Sequence, residues 1–347
     1  MFESAEVGNC IAKKEYEAQV PHLRTALLDL QHRLAVSSLS VVIIVSGVEG
    51  AGKEETVNLL MDWLDTRGIQ VNAMWDTTDE ERERPRFWRF WRVLPPKGKI
   101  SVLFGSWYTQ PIIDRVYGRI DDAAFERAMH EIAGFETMLA REGVVTLKFW
   151  MHLAKALQQQ RMKKVRKHPE RYWRVTPLTQ KFFKKFDEFS LISEKALRLT
   201  DTVSAPWHIV EAADDRYRNF SVANALLQTL GKSLDALPPP ADVAPAKPEL
   251  PKPAQFNVLR KLDLGLHLPR SRYGKELEVL QPRLHGLTRQ LADERRSMLV
   301  LLEGPDAGGK GGAIRRLTEA MDARLYQVTS VAAPTDEELA HPYLWRF

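Results

Sequence analysis

The sequence offers almost nothing that a secreted or membrane-bound protein would need. It holds a single cysteine, Cys10, which rules out an intramolecular disulfide and points to a reducing cytoplasm. No uncharged apolar run is long enough to cross a bilayer, so no membrane partner is expected. The opening residues, Met1 to Glu6, lack the basic and apolar regions of a signal peptide. The nine histidines show no zinc-site spacing, and no Ser-His-Asp set suggests itself. A net charge of +5 is a mild bias and not by itself a nucleic-acid signature.

Positive charge gathers between Arg161 and Lys185, where Arg161, Lys163, Lys164, Arg166, Lys167, Arg171, Arg174, Lys181, Lys184 and Lys185 fall. A solvated helical face is the plain reading of that run. A basic lid for a polyanion is the sharper one, because successive cations would neutralise successive phosphates. Only Tyr172 and Trp173 interleave with it, so no base-stacking platform forms and no nucleic-acid partner is expected.

What is present is a chain of 347 residues, 44% hydrophobic, enough for two domains with packed cores. It is organised around Ser46-Gly47-Val48-Glu49-Gly50-Ala51-Gly52-Lys53 and a near-twin, Glu303-Gly304-Pro305-Asp306-Ala307-Gly308-Gly309-Lys310. Each follows an apolar run, Val41 to Val45 or Met298 to Leu302, that reads as a fully buried strand. Each precedes residues at helical spacing: Val57, Leu60, Met61 and Leu64, or Ile314, Leu317 and Met321. Strand, glycine loop ending in Gly-Lys, then helix is a phosphate cradle. Glycines turn the backbone N–H groups inward, and the helix start adds positive potential.

In chain order, a leucine stripe (Leu23, Leu27, Leu30, Leu34) predicts a helix over about 13–34. Further strands are expected at Ile69–Trp75, Ile100–Phe104, Val144–Trp150 and His208–Ala212. Helices are expected over an aromatic run opened by Pro85, at Asp122–Glu142, through the basic region Ala154–Leu199, and at Tyr217–Leu230. Alternating strands and helices indicate a three-layer α/β domain with a mainly parallel sheet, of P-loop kinase-like type. This first domain is placed at 1–235, a Pro/Ala-rich linker at 236–258, and the N-terminal part of a second such domain at 259–347.

An offset of 257 aligns Tyr16–Phe90 with Tyr273–Phe347 without a gap, and 23 of the 75 pairs are identical. That density over so long an ungapped stretch predicts a tandem duplication rather than a short-period solenoid. The second copy has no counterparts here of the third, fourth and fifth strands, so it is expected to be a partial domain, poorly stable alone and inactive as this fragment.

Neither loop has the Ser or Thr that follows Lys in the common nucleotide-binding motif. Lys310 is followed by Gly311 and Gly312, which leave the helix mouth bare, and Asp306 is placed to hold Mg²⁺ or to accept a proton. In the first copy the same positions read Glu49, Lys53, Glu54 and Glu55, and the two carboxylates just inside the helix, Glu54 and Glu55, would repel a phosphate chain. The first loop therefore reads as one that kept its shape after losing its ligand.

These residues together resemble the polyphosphate kinase 2 family. The likeness rests on Glu303–Gly312, on Thr335-Asp336-Glu337-Glu338 leading to Leu344-Trp345-Arg346, and on Ser106-Trp107-Tyr108. It continues through Val144–Trp150, the basic lid and Ala205-Pro206-Trp207, and so spans nearly the whole chain outside the linker. A tandem of two such domains is similar to the family's polyphosphate:AMP phosphotransferases. The resemblance implies inorganic polyphosphate and AMP/ADP as partners and Mg²⁺ as cofactor. It implies Asp306 and Lys310 as the catalytic pair, with Asp306 also at the metal. Gly304, Gly308, Gly309, Gly311, Gly312 and Arg346 then become phosphate-binding. Glu49, Gly52, Lys53 and Arg89 become vestigial first-domain equivalents, and Phe104-Gly105 stand where the family has Asp-Arg. A homo-oligomer is compatible with the sequence, which does not fix a stoichiometry. The rival readings are a polyanion-binding scaffold without catalysis, a nucleic-acid-binding protein, and an ATP-dependent nucleotide kinase. The missing Ser or Thr after Lys310 counts against the last.

Overall fold

The computed structural model describes residues 1–74, 77–166, 182, 184–237, 262–263, 265–321 and 325–347. They fall into two compact units: Met1–Ala241 together with Pro334–Phe347, and Asp242–Ala333.

In the first unit, five strands pair side by side. They are β1 (Ser40–Gly47), β2 (Ile69–Ala73), β3 (Ile100–Phe104), β4 (Val144–His152) and β5 (Trp207–Glu211), in the order β2-β3-β1-β4-β5, all parallel. All five expected strands are present; the second is shorter than expected, ending at Ala73, with Trp75 and Asp76 outside the described residues. The central strand β1 lies between β3 and β4, its Val41 level with Ile100 and Val145. Val41–Val45 are almost fully buried because helices cover both faces of the sheet.

One layer is built from α1 (Lys13–Ala35), α2 (Lys53–Trp63) and α9 (Asp215–Asp235). The stripe Leu23, Leu27, Leu30 and Leu34 packs there with Leu60, Leu226 and Leu230. The opposite layer holds α5 (Thr109–Val116), α6 (Asp122–Arg141) and α8 (Phe186–Thr200), contributing Ile112, Phe125, Met129, Ile132 and Leu197. Three further helices are α3 (Asp79–Glu83), α4 (Trp88–Trp91), whose Phe90 joins the second layer's cluster, and α7 (Lys155–Arg166). Of the basic segment, residues 167–181 and 183 lie outside the described residues.

The second unit contains α10 (Arg270–Asp293) and α11 (Lys310–Thr318). Here one expectation is overturned: Met298–Leu302 forms no strand and is not buried, with Leu299 85% exposed. The cause is the absence of neighbours. A strand pairs its N–H and C=O groups with adjacent strands, and a central one such as β1 has them on both edges. Among the described residues no strand lies beside Met298–Leu302. The leucine stripe suffers likewise: Leu280 is 54% exposed, whereas its counterpart Leu23 is 7% exposed. Downstream, α12 (Asp336–Ala340) and a 3-10 turn, Tyr343–Arg346, belong to the first unit. No helix among the described residues is long and apolar enough to cross a membrane.

A charged network sits inside the first unit between α6, β4 and the end of α8. Lys148 and Glu136 are both fully buried and 2.7 Å apart. The Lys148 ammonium also donates to the Thr200 carbonyl at 2.7 Å and the Tyr108 hydroxyl at 3.0 Å. The other Glu136 oxygen accepts from Trp107 Nε1 at 3.0 Å and Tyr108 OH at 2.6 Å. Burial, and after it the Glu136 charge, pushes the Tyr108 phenol well above its ordinary pKa, so it stays a donor. Burial pulls the Lys148 ammonium down against the opposing pull of Glu136. Removing one partner leaves an uncompensated buried charge. Lys148→Met is therefore expected to cost about 3–5 kcal/mol, read from the denaturant midpoint; a loss below about 1 kcal/mol would refute the account.

Candidate functional site

Both glycine loops leave a chain segment and enter a helix through a left-handed residue. Gly52, the N-cap of α2, has φ +80°, and Gly309, the N-cap of α11, has φ +86°. The other positive angles also match position by position. Gly47 is at +139° and Gly304 at +151°, while Gly50 is at +77° and Ala307 at +60°. Ala307 bears a side chain in a region that disfavours one, at a cost of about 1–2 kcal/mol. The two loops thus share one backbone shape. In the first, that shape is pressed against the sheet: a Cβ on Gly47 would collide with the Met151 backbone of β4.

Each lysine folds back over its loop. Lys53 Nζ donates to the Gly47 carbonyl at 3.1 Å, and Lys310 Nζ to the Gly304 carbonyl at 2.6 Å. There the likeness stops. Lys53 also pairs with the Glu49 carboxylate at 2.8 Å, so its charge is neutralised inside the loop. Lys310 finds only a second carbonyl, that of Pro305, at 2.9 Å. Asp306 stands one methylene short of Glu49, and among the described residues its carboxylate has no hydrogen-bond or ion-pair partner. Glu54 and Glu55, expected to block the first loop, are exposed on the first turn of α2. The neutralising acid is Glu49. Its place four residues before Lys53 was a legible signal that the sequence reading did not use.

The first loop is further clamped by groups whose contact with it the sequence did not reveal, although Arg161 was read as part of a basic lid. Arg161, on α7, donates to the Gly50 carbonyl at 3.0 Å and to those of Ala212 and Ala213 at 2.9 and 2.8 Å. Gln158 donates to the Glu49 carbonyl at 2.6 Å. The Arg218 guanidinium lies where a Cβ on Gly52 would be. Comparable clamps are absent from the second loop among the described residues. Gly308, Gly309, Gly311 and Gly312 are exposed there, beside an open cleft of about 520 Å³ lined by Tyr273, Gly311, Gly312, Ala313, Arg315 and Arg316.

Arg89 and Arg346 occupy equivalent settings. In each case a threonine caps a five-residue helix and a glutamate at its third position closes a capping box: Thr78 with Glu81, Thr335 with Glu338. The same glutamate then pairs with the arginine, Arg89–Glu81 and Arg346–Glu338, both at 3.4 Å. The structure therefore groups Arg346 with the first unit, while Asp306, Lys310 and the loop glycines lie in the second. Among the described residues no three His, Cys, Asp or Glu side chains gather as a metal site.

The family model described as Polyphosphate kinase 2 matches residues 10–236 and 267–347, taking in both loops and both capping boxes. This chain belongs to the polyphosphate kinase 2 family. A polyphosphate:AMP phosphotransferase of Pseudomonas aeruginosa is 44% identical over the whole chain, which covers 70% of that protein. One of Pseudomonas syringae pv. tomato is 40% identical, again over the whole chain and 70% of the relative. Among solved structures, one described as polyphosphate kinase 2 from Pseudomonas aeruginosa superimposes with a TM-score of 0.84. It is 41% identical, and the match covers 100% of this chain and 68% of that one. A second, from Arthrobacter aurescens, gives a TM-score of 0.63 at 27% identity over 69% of this chain and 86% of that one.

Within this polyphosphate kinase 2 fold the close approach at Gly47 sets the loop on the sheet. Gly47→Ala combines a disfavoured φ with a collision against β4 backbone and is expected to cost at least about 2 kcal/mol. Thermal unfolding measures it; a variant as stable as the parent would show that the loop does not sit on β4 in this way.

Proposed function

We propose that this chain serves phosphoryl transfer from inorganic polyphosphate to AMP, giving ADP, and that the Lys310 loop does the work. The observation that carries this reading is the electrostatic contrast between two loops of one shape. Lys53 is neutralised by Glu49, whereas Lys310 meets only carbonyls and Asp306 has no protein partner among the described residues. The first copy, 1–235, is then non-catalytic, joined through the linker 236–258 to a working copy that begins at 259. A cytoplasmic location, proposed from the lone Cys10, accords with such a substrate.

In the transfer, an α-phosphate oxygen of AMP attacks the terminal phosphorus of polyphosphate. The bond to the next bridging oxygen breaks, and the chain leaves one phosphate shorter. Little covalent work falls to the protein, which must align the two anions and offset their charge. Lys310 and the backbone N–H groups of Gly304, Gly309, Gly311 and Gly312 would hold phosphate oxygens, with Gly308, whose N–H donates to the Pro305 carbonyl at 3.1 Å, shaping the loop around them. Arg346 would hold the acceptor phosphate. The residues fit Mg²⁺, which commonly takes one or two carboxylates and completes its shell with phosphate and water; here the carboxylate would be Asp306. The bound ion would supply charge neutralisation between phosphates.

Because Met298–Leu302 has no strand partner among the described residues, little or no turnover is expected from residues 1–347 by themselves. In a polypeptide long enough to supply that sheet, Asp306→Ala and Lys310→Met should each lower ADP formation about 100-fold or more. Lys53→Met should leave it within about twofold. A coupled assay with polyphosphate, Mg²⁺ and AMP decides the matter: unchanged turnover in Asp306→Ala, or collapse in Lys53→Met, refutes the assignment.

A further inference from the structure

The segment Pro334–Phe347 carries Arg346 and yet belongs to the compact unit built by residues 1–241. Its contacts there are specific at both ends. Leu339 and Ala340 close α12, and the last carbonyls of a helix lack partners within it. Both are met by Lys97: its backbone N–H donates to the Ala340 carbonyl at 2.6 Å, and its ammonium to the Leu339 carbonyl at 3.1 Å. At the next turn the polarity reverses. Tyr343 opens the 3-10 turn, and its N–H donates to a Glu142 carboxylate oxygen at 3.3 Å. Cation at a helix end and carboxylate at a turn start both complement the backbone dipoles. Between them Pro342 is buried, and Trp345 packs against the apolar cluster formed by α5, α6 and α8.

The two seat residues are themselves fixed. Lys97 lies in the turn before β3, where Gly98 N–H donates to the Leu39 carbonyl at 2.7 Å. Glu142 ends α6, its N–H donating to the Met138 and Leu139 carbonyls. The same helix also seats the equivalent first-copy segment: Arg86 pairs with Glu131 at 2.8 Å, and Phe87 stacks on Phe135 at 4.3 Å. Within the seated segment, the Thr335–Glu338 capping box and the Glu338–Arg346 pair tie the arginine to α12.

We propose that Lys97, Glu142 and the α6 cluster form a seat for Thr335–Phe347, so that the non-catalytic copy positions Arg346 for the acceptor phosphate. The role given to Arg346 rests on the functional reading above; the seat itself does not. Lys97 and Glu142 are positioning residues, acting through Arg346 and touching no substrate.

Hydrogen–deuterium exchange on the 347-residue chain tests the seat without any turnover. In the parent, peptides over 335–347 should be protected. In Lys97→Met/Glu142→Gln they should exchange about tenfold faster, with β1 and β4 unchanged. Tyr343→Pro, which removes the donor to Glu142 and leaves both seat residues intact, should release the segment likewise. Parent peptides exchanging at unstructured rates, or protection surviving in both variants, would overturn the proposal. In a turning-over polypeptide, the double variant should raise KM for AMP several-fold and leave KM for polyphosphate and thermal stability unchanged. A KM for AMP equal to the parent's would remove the positioning role. Absence of ADP formation in the parent would count against the phosphotransferase reading alone, with exchange still judging the seat.

Discussion

A parallel β-strand has no way to satisfy its own backbone, and one at the centre of a sheet needs a neighbour on each edge and apolar cover on both faces. Everything in the first unit follows from meeting that need for β1. With β3 and β4 beside it, Val41–Val45 disappear from solvent, Gly47 comes to rest against Met151, and the loop leaves the sheet at a fixed point. The run Met298–Leu302 has the same apolar character and lacks the neighbours. It remains exposed, and so does the leucine stripe of α10. Yet the loop that follows it adopts the same positive φ angles, residue for residue, as its counterpart. Loop shape is a local property of the glycines and the helix start. Loop placement is a property of the sheet.

Given one shape, the proposed difference in chemistry turns on a single methylene. At 2.8 Å the Coulomb attraction between Glu49 and Lys53 is about 6 kcal/mol at an effective dielectric near 20, although both side chains are partly exposed and the net worth is about 1 kcal/mol or less. The consequence for ligands exceeds that net figure. A carboxylate tethered four residues away is present at high effective concentration, and a phosphate oxygen must displace it to reach the ammonium. The Arg161 and Gln158 bonds to the loop carbonyls add to that closure, since they fix the segment from α7. The shorter Asp306 leaves the Lys310 ammonium with carbonyls alone.

The strands and the α1 and α6 stripes were legible because periodicity and burial are written into neighbouring residues. Val41–Val45, Ile100–Phe104 and Val144–Trp150 are apolar runs of strand length, and the leucines at 23, 27, 30 and 34 fit one helix face. The strand expected at Met298–Leu302 failed for the reason just given: its pattern is local and its partners are not. The loops and their lysines were legible from spacing, as was the offset of 257 that links them. The clamps on the first loop were not, because Arg161 and Arg218 reach it across more than a hundred residues of chain. The seat for Pro334–Phe347 was hidden likewise, as neither Lys97 nor Glu142 belongs to any recognisable motif. The repulsion was assigned to Glu54 and Glu55, whereas the acid that pairs with Lys53 is Glu49.

Ser106-Trp107-Tyr108 shows how packing can account for motif residues without any ligand. Phe104 and Gly105 occupy the strand end where the family resemblance places an acid and an arginine. Trp107 and Tyr108 persist, and the fold accounts for them: their N–H and O–H groups are spent on Glu136, which in turn holds the buried Lys148. Losing either donor would leave a buried carboxylate short of a hydrogen bond, at a cost of about 1–3 kcal/mol whether or not the copy binds anything. Retained motif residues in this copy thus report on packing. The proposed difference in activity between the copies rests instead on the loop acid, Glu49 in one place and Asp306 in the other.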